Sequence, residues 1–318
     1  MWTKTCLTLT LLFVGLFNNV SSQELFEVRL FCDFGMYAIN DFLNYACTVR
    51  NVTFDFSNPF YYIIIEGQHE PGRTNEDVGN FIIQSSNVNA IPANIFQVFP
   101  NIVAIYGFDA GITGINPPDF TFANQLRGIF ASANIMPRLT GSPFFVRSTI
   151  TDISFYSNQI EFIANTFFIG LLNLRYLSIE GNNIAALTPE MMAPLVSLRN
   201  FYASANRFET LSGRVFANNR NIEFIGLNEN IINAIGPNAF DNLPNLEILA
   251  LSQNSCVDEV FTINEDITIE TVNQSLQQCF NNSVPEPPRT RTLLFEVRGN
   301  MTFFDEYNDE LLRIEGRW

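Results

Sequence analysis

Eight segments of this chain align on one another at a fixed interval of 24 residues, beginning at Val78, Ile102, Leu126, Ile150, Leu174, Leu198, Ile222 and Leu246, with no insertion between them. A period of that length marks a supersecondary unit that cannot bury its apolar face alone, so the units must stack into a solenoid. The columns confirm the register. Position four is always large and apolar, as in Phe81, Ile105, Ile153, Leu177, Phe201 and Leu249. Position nine settles on asparagine at Asn134, Asn158, Asn182, Asn206, Asn230 and Asn254. Ten residues further on, a phenylalanine recurs at Phe96, Phe120, Phe144, Phe168, Phe216 and Phe240, with Met192 as the exception.

These columns describe one turn of a coil. Positions four and six point inward from a short strand, and positions three, five and seven point outward, because side chains alternate across a strand. Strands from successive turns then line one face with a parallel sheet. The asparagine stands where the chain leaves the strand, and its amide can pair backbone groups that a sharp turn would bury unsatisfied. The recurring phenylalanine is expected to stack on its equivalents in neighbouring turns and fill the convex side.

The pattern L-x-x-L-x-L-x-x-N-x-L, plain in Leu174 to Ile184 and in Leu198 to Phe208, resembles the leucine-rich repeat family. The repeat length and the phenylalanine column are similar to its extracellular, typical class, and the flanking segments to those of secreted insect members. The resemblance implies a mostly β, α/β solenoid: a leucine-rich repeat horseshoe with the parallel sheet on its concave face and disulfide-bonded caps. It also implies a recognition role in immunity, development or adhesion. Gly107, Ala131 and Ala203 replace large residues at position six, and Ser86 and Ala110 replace the asparagine in the first two repeats, so looser stacking is expected there.

The N-terminus reads as a secretory signal. Lys4 precedes an apolar run from Leu7 to Phe17, and Val20-Ser21-Ser22 offers small residues for cleavage after Ser22. That run is too short to span a membrane, no longer one follows, and the charged end of the chain lacks the apolar tail of a lipid-anchor signal. The expected organisation is a signal peptide (1–22), an N-terminal cap (23–77), eight repeats (78–255), a C-terminal cap (256–284), and a proline-rich linker with a β-strand tail (285–318). Cys6 leaves with the signal, and the four remaining cysteines would be oxidised outside the cell. Eight strands at about 4.8 Å separate the two ends by roughly 35 Å, whereas a disulfide spans less than about 7 Å between α-carbons. Cys32–Cys47 and Cys256–Cys279 are therefore the expected bonds.

The net charge of −15 becomes −16 once Lys4, the only charged residue of the signal, is removed. So acidic a solenoid repels phosphate backbones, which argues against nucleic acid as a partner and disfavours anionic membranes and sulfated glycans, while the lack of a long apolar run argues against membrane insertion. Glycosylation sequons occur at Asn51, Asn273, Asn281 and Asn300, and none lies among the repeats. The outward positions carry aromatics. Tyr106, Phe108 and Phe130 are expected as one exposed cluster, with Tyr156, Tyr176, Tyr202 and Phe224 beside it, as ligand-binding residues on the concave face. An edge column of Arg127, Arg175 and Arg199 gives way to Glu223 and Glu247. Strand preference for aromatics and solvation of edge charge are the bland explanations of these two features.

Nothing gathers the chemistry of an enzyme. The single histidine, His69, sits in the turn-rich Gly67-Gln68-His69-Glu70-Pro71-Gly72 with no second histidine to share a metal, and no nucleophile elbow, zinc-protease or phosphate-loop motif occurs. No cofactor is expected. Beyond Pro285, Pro287 and Pro288, alternating Leu293, Phe295 and Val297 lead through Gly299-Asn300 into Met301 to Asp305, and a turn at Tyr307-Asn308-Asp309 precedes Leu311, Leu312 and Ile314. Such short strands lack a core of their own, so the tail either docks on the C-terminal cap or self-associates through residues 285–318. The expected function is thus an extracellular module binding a protein ligand or receptor. The alternative is a structural component of the matrix or of secretion, assembling through its tail.

Overall fold

The computed structural model describes residues 26–39, 42–56, 61–115, 120, 122–145, 149–283, 302–304 and 311–313. The expected signal peptide and Asn300 lie outside these residues, as does the tail strand expected around Leu293 to Val297. The chain divides into two units, residues 1–283 and 284–318.

The first unit is built on an 11-stranded sheet. Each repeat contributes one strand, from Asn80–Gln84 and Ala104–Phe108 to Phe224–Gly226 and Ile248–Ala250, and each pairs parallel with the next. The pairing is in register with the period: Phe81 stands opposite Ile105, Ile105 opposite Ile129, and Ile129 opposite Ile153. Position-four side chains therefore form one continuous buried row, and all eight are at most 1% exposed. The result is a solenoid whose core runs its whole length.

Three devices hold successive turns together. The first is an asparagine ladder. Asn182 accepts the Ile160 N–H through Oδ1 at 3.0 Å and donates through Nδ2 to Phe155 O in the preceding turn and to its own Ile179 O, at 3.0 and 2.9 Å. Asn158, Asn206, Asn230 and Asn254 repeat this pattern. The second is the convex spine. Phe96, Phe120 and Phe144 follow one another with ring centroids 6.2 and 5.6 Å apart, and Phe216 meets Phe240 at 6.1 Å. Met192, fully buried, fills the one gap in the column. The third is a left-handed residue at position eight of every repeat, just before the asparagine. Ser85, Asp109, Ala133, Ser157, Gly181, Ala205, Glu229 and Gln253 all have φ between 48° and 67°. Only one of them is glycine, so the tertiary structure imposes this turn on residues that do not favour it.

The small residues at position six are compensated rather than left loose. The space beside Gly107 is occupied by Ile112 Cδ1, and Ala131 and Ala203 remain buried. In the asparagine-free first repeat, Ser86 Oγ accepts the Val52 N–H at 3.1 Å and so ties the repeat to the cap.

Both ends of the core are covered. At the N-terminal end the antiparallel hairpin Asp33–Ile39 and Phe42–Arg50 adds to the sheet, Phe26–Phe31 pairs with Tyr61–Glu66, and Cys32 bonds to Cys47 with α-carbons 4.9 Å apart. Thr74 caps the short turn Asn75–Asp77 that leads into the first repeat. At the C-terminal end Val260–Thr262 pairs antiparallel with Ile248–Ala250. The helices Ile269–Ser275 and Gln277–Asn281 then bury Val272, Leu276 and Cys279, and Cys256 bonds to Cys279 with α-carbons 5.2 Å apart. In the second unit, Thr302–Phe304 pairs antiparallel with Leu311–Arg313, and the turn expected at Tyr307-Asn308-Asp309 lies outside the described residues.

Candidate functional site

The outward, concave face of the sheet is built from positions three, five and seven, and a hairpin divides it. Strand Phe42–Arg50 begins four residues before Ala46, where its pairing with the first repeat strand starts at Asn80, so its leading end reaches over the concave face. Asn44 Nδ2 donates to Asn80 Oδ1 at 3.1 Å, and Asn80 Nδ2 donates to Phe42 O at 3.2 Å, which pins that end down. Phe42 then packs edge-on against Phe130 at 5.8 Å, and Phe130 stacks on Tyr106 at 4.8 Å. Gly128 makes the approach possible, because a Cβ there would lie 2.6 Å from Phe130 and 3.1 Å from Phe42.

This arrangement corrects the sequence reading. Tyr106 and Phe130 are expected to be exposed, yet they are only 4% and 8% exposed, in a small second core with Ala46, Ile82 and Ala104 under Tyr37 and Phe42. Burial also pushes the Tyr106 hydroxyl pKa well above its ordinary value, with a smaller contribution from Asp152. Period-two alternation assigned these side chains to the correct face of the sheet. It carried no information on what a cap segment lays across that face.

Beyond the hairpin the face is open. Phe108 and Tyr156 are 56% and 50% exposed, and Tyr176, Tyr202 and Phe224 are half-buried. The last three form one array: Tyr176 and Tyr202 lie 5.2 Å apart, and Tyr202 stacks on Phe224 at 4.6 Å. Between the two aromatic groups lies a groove of about 420 Å³ whose floor is Ser132, Ser154 and Ser178 and whose rim includes Phe108, Tyr156 and Glu180. Ser132 and Ser154 hydroxyl oxygens are 3.4 Å apart. The serine floor follows from outward positions that are small, which the sequence displayed but which aromatic counting passed over. Burial raises the Glu180 carboxyl pKa above its ordinary value, and the like charge of Glu229 adds to the effect. Burial likewise raises the Tyr176 hydroxyl pKa.

The remaining candidate residues are placed as follows. Arg127, Arg175 and Arg199 are exposed along the edge, and Arg199 pairs with Glu223 at 2.9 Å. His69 is packed in the N-terminal cap: Phe34 lies 3.9 Å from its ring, Tyr45 Oη is 3.2 Å from Nδ1, and Asn75 Oδ1 is 2.9 Å from Nε2. Asn51 and Asn281 are exposed. Asn273 is half-buried and donates through Nδ2 to Asp241 Oδ1 at 2.8 Å, a bond that a glycan on Nδ2 would break. Among the described residues, no three His, Cys, Asp or Glu side chains gather to hold a metal, and no helix is long and apolar enough to cross a membrane.

Comparison with known proteins agrees with this architecture. A leucine rich repeat family model matches residues 149–208 and 202–255. The three earlier repeats, in the first two of which serine and alanine replace the asparagine, continue the same sheet without a break. No curated protein sequence matches the chain. Among solved structures, the TLR13 complex with ssRNA13 is similar over 63% of this chain and 29% of that one, at 18% identity and a TM-score of 0.54. The Drosophila Toll–Spätzle complex is similar over 57% of this chain and 27% of that one, at 17% identity and a TM-score of 0.46. The chain thus spans less than a third of either structure's length. The family-model match and the likeness to the TLR13 structure establish a leucine-rich repeat solenoid.

Proposed function

We propose that this solenoid is a secreted, non-enzymatic recognition module that binds a protein ligand on its concave face. One observation carries the reading: an open array of Phe108, Tyr156, Tyr176, Tyr202 and Phe224 flanks a groove on a rigid sheet. Aromatic side chains fixed on such a scaffold offer large contact area at little entropic cost. The asparagine ladder supplies the rigidity, since each turn is hydrogen-bonded to the one before it. Two disulfides fit an oxidising compartment. The solved solenoid in complex with RNA belongs to a different case, because a net charge of −15 repels a polyanion.

A second reading, assembly through the tail, has one feature in its favour. Thr302–Phe304 and Leu311–Arg313 form a two-stranded pair, and such a pair needs a further surface to be stable. Capture from the fluid around expressing cells separates the two. The bait is the mature protein beside a Tyr156→Ser, Tyr202→Ser double variant, with circular dichroism to confirm that both fold. A protein held by the first and lost by the second supports concave-face recognition. Equal capture, or self-association abolished by truncation at Pro285, refutes it in favour of the tail.

A further inference from the structure

We propose that the groove between Phe130 and Glu180 seats a lysine or arginine side chain presented by an extended segment of the protein ligand. The inference rests on the concave-face reading and adds the chemistry of the partner. The groove is lined by serine hydroxyls, aromatic rings, Ile82, the Gln84 amide and one carboxylate, with no lysine, arginine or histidine among its lining residues. Among the described residues Glu180 forms no ion pair, and burial, with the like charge of Glu229 second, disfavours its charged form. The carboxylate therefore carries a cost at neutral pH that an incoming cation would relieve.

The geometry around Glu180 suits a cation in two further ways. Tyr156 and Glu180 hold the same position on adjacent turns, joined by the Ser157 N–H to Glu180 O bond of 2.9 Å. A half-exposed ring thus stands beside the carboxylate, and a cation lying over that ring gains from its negative face. Ser132, Ser154 and Ser178 line the floor, so their hydroxyl oxygens face the donors of an ammonium or guanidinium group. A volume of about 420 Å³ admits the long stem of such a side chain together with its neighbours on the segment. The net charge of −15 would steer a basic partner toward this acidic solenoid, and the edge arginines are displaced from the groove.

General attraction between an acidic protein and any cation is the effect to separate. Isothermal titration calorimetry with a tetra-arginine peptide as probe does this, using the disulfide-intact protein, the groove variant Glu180→Gln, and Glu265→Gln, which removes an equal charge from the exposed C-terminal cap. The expected result is one tetra-arginine site per chain, weakened at least about tenfold by Glu180→Gln and unchanged by Glu265→Gln, with tetra-glutamine not binding. Affinity should also fall as pH drops through the raised Glu180 pKa, where the carboxylate takes up its proton. Equal weakening by both variants, or no binding to the wild type, overturns the cation seat. If a captured ligand is lost with Tyr156→Ser, Tyr202→Ser but held at full strength by Glu180→Gln, only this inference falls. If it survives the aromatic changes, the concave-face reading falls with it.

Discussion

Replacing Asn182 by alanine should destabilise the solenoid by far more than the loss of one surface amide. The Ile160 N–H has Asn182 Oδ1 as its partner at 3.0 Å, so removal of the amide leaves a buried donor unsatisfied. Phe155 O and Ile179 O each lose one bond but keep another, from Asn158 at 3.1 Å and from Asn206 at 2.9 Å. An orphaned buried donor costs about 1–3 kcal/mol and each lost carbonyl bond about 0.5–1.5 kcal/mol, so the variant should lose about 2–6 kcal/mol. The neighbouring Asn183→Ala is the control, expected to stay within about 0.5 kcal/mol. Urea unfolding followed by circular dichroism reads the global effect. Because a repeat array need not unfold in one step, amide exchange at Ile160 reads the local one and should accelerate in the Asn182 variant alone. A loss below about 1 kcal/mol, equal to that of the control, with unchanged exchange at Ile160 would refute the ladder as the element that ties turns together.

Three further outcomes follow from particular residues. Ala205→Gly should stabilise by about 0.5–1 kcal/mol in urea unfolding, because Ala205 is held at φ 52° where glycine is unstrained, partly offset by glycine's greater unfolded entropy. Phe130→Ser should cost about 3–5 kcal/mol, since its ring is buried under Phe42, whereas the half-exposed Tyr156→Ser should leave the urea midpoint nearly unchanged. Glu180 is a carboxyl with a raised folded-state pKa, so its charge destabilises at neutral pH. That cost shrinks as pH falls through the raised pKa and is gone below the unfolded value. Glu180→Gln should therefore be the more stable protein at pH 7 and match the wild type in acid, as thermal melts across pH would show.

The solenoid was legible because its signals recur. A column of eight apolar residues at position four, an asparagine at position nine and a phenylalanine ten residues later each have one physical use in a stacked coil. The repetition separates them from accident. The cysteine pairing was legible for a related reason: the stack places Cys32 and Cys47 at the opposite end from Cys256 and Cys279. The left-handed turn at position eight was not legible. Ala133, Ala205 and Glu229 carry no preference for that conformation, and the backbone pairing of adjacent turns forces it on them. Nor was the burial of Tyr106 and Phe130, which depends on Phe42 reaching them from outside the repeats. What covers a sheet is a long-range property, and periodicity within a strand reports only which side a residue faces.

The most direct test of concave-face recognition is amide hydrogen exchange of the mature protein with and without its captured ligand. Binding on that face should slow exchange in the strands Asp152–Ser154, Tyr176–Ser178 and Asn200–Tyr202 and in the turns that follow them, and leave the convex segment around Phe216 and Phe240 unchanged. Protection confined to the convex side or to residues after Val284, with the three strands unaffected, would contradict the account.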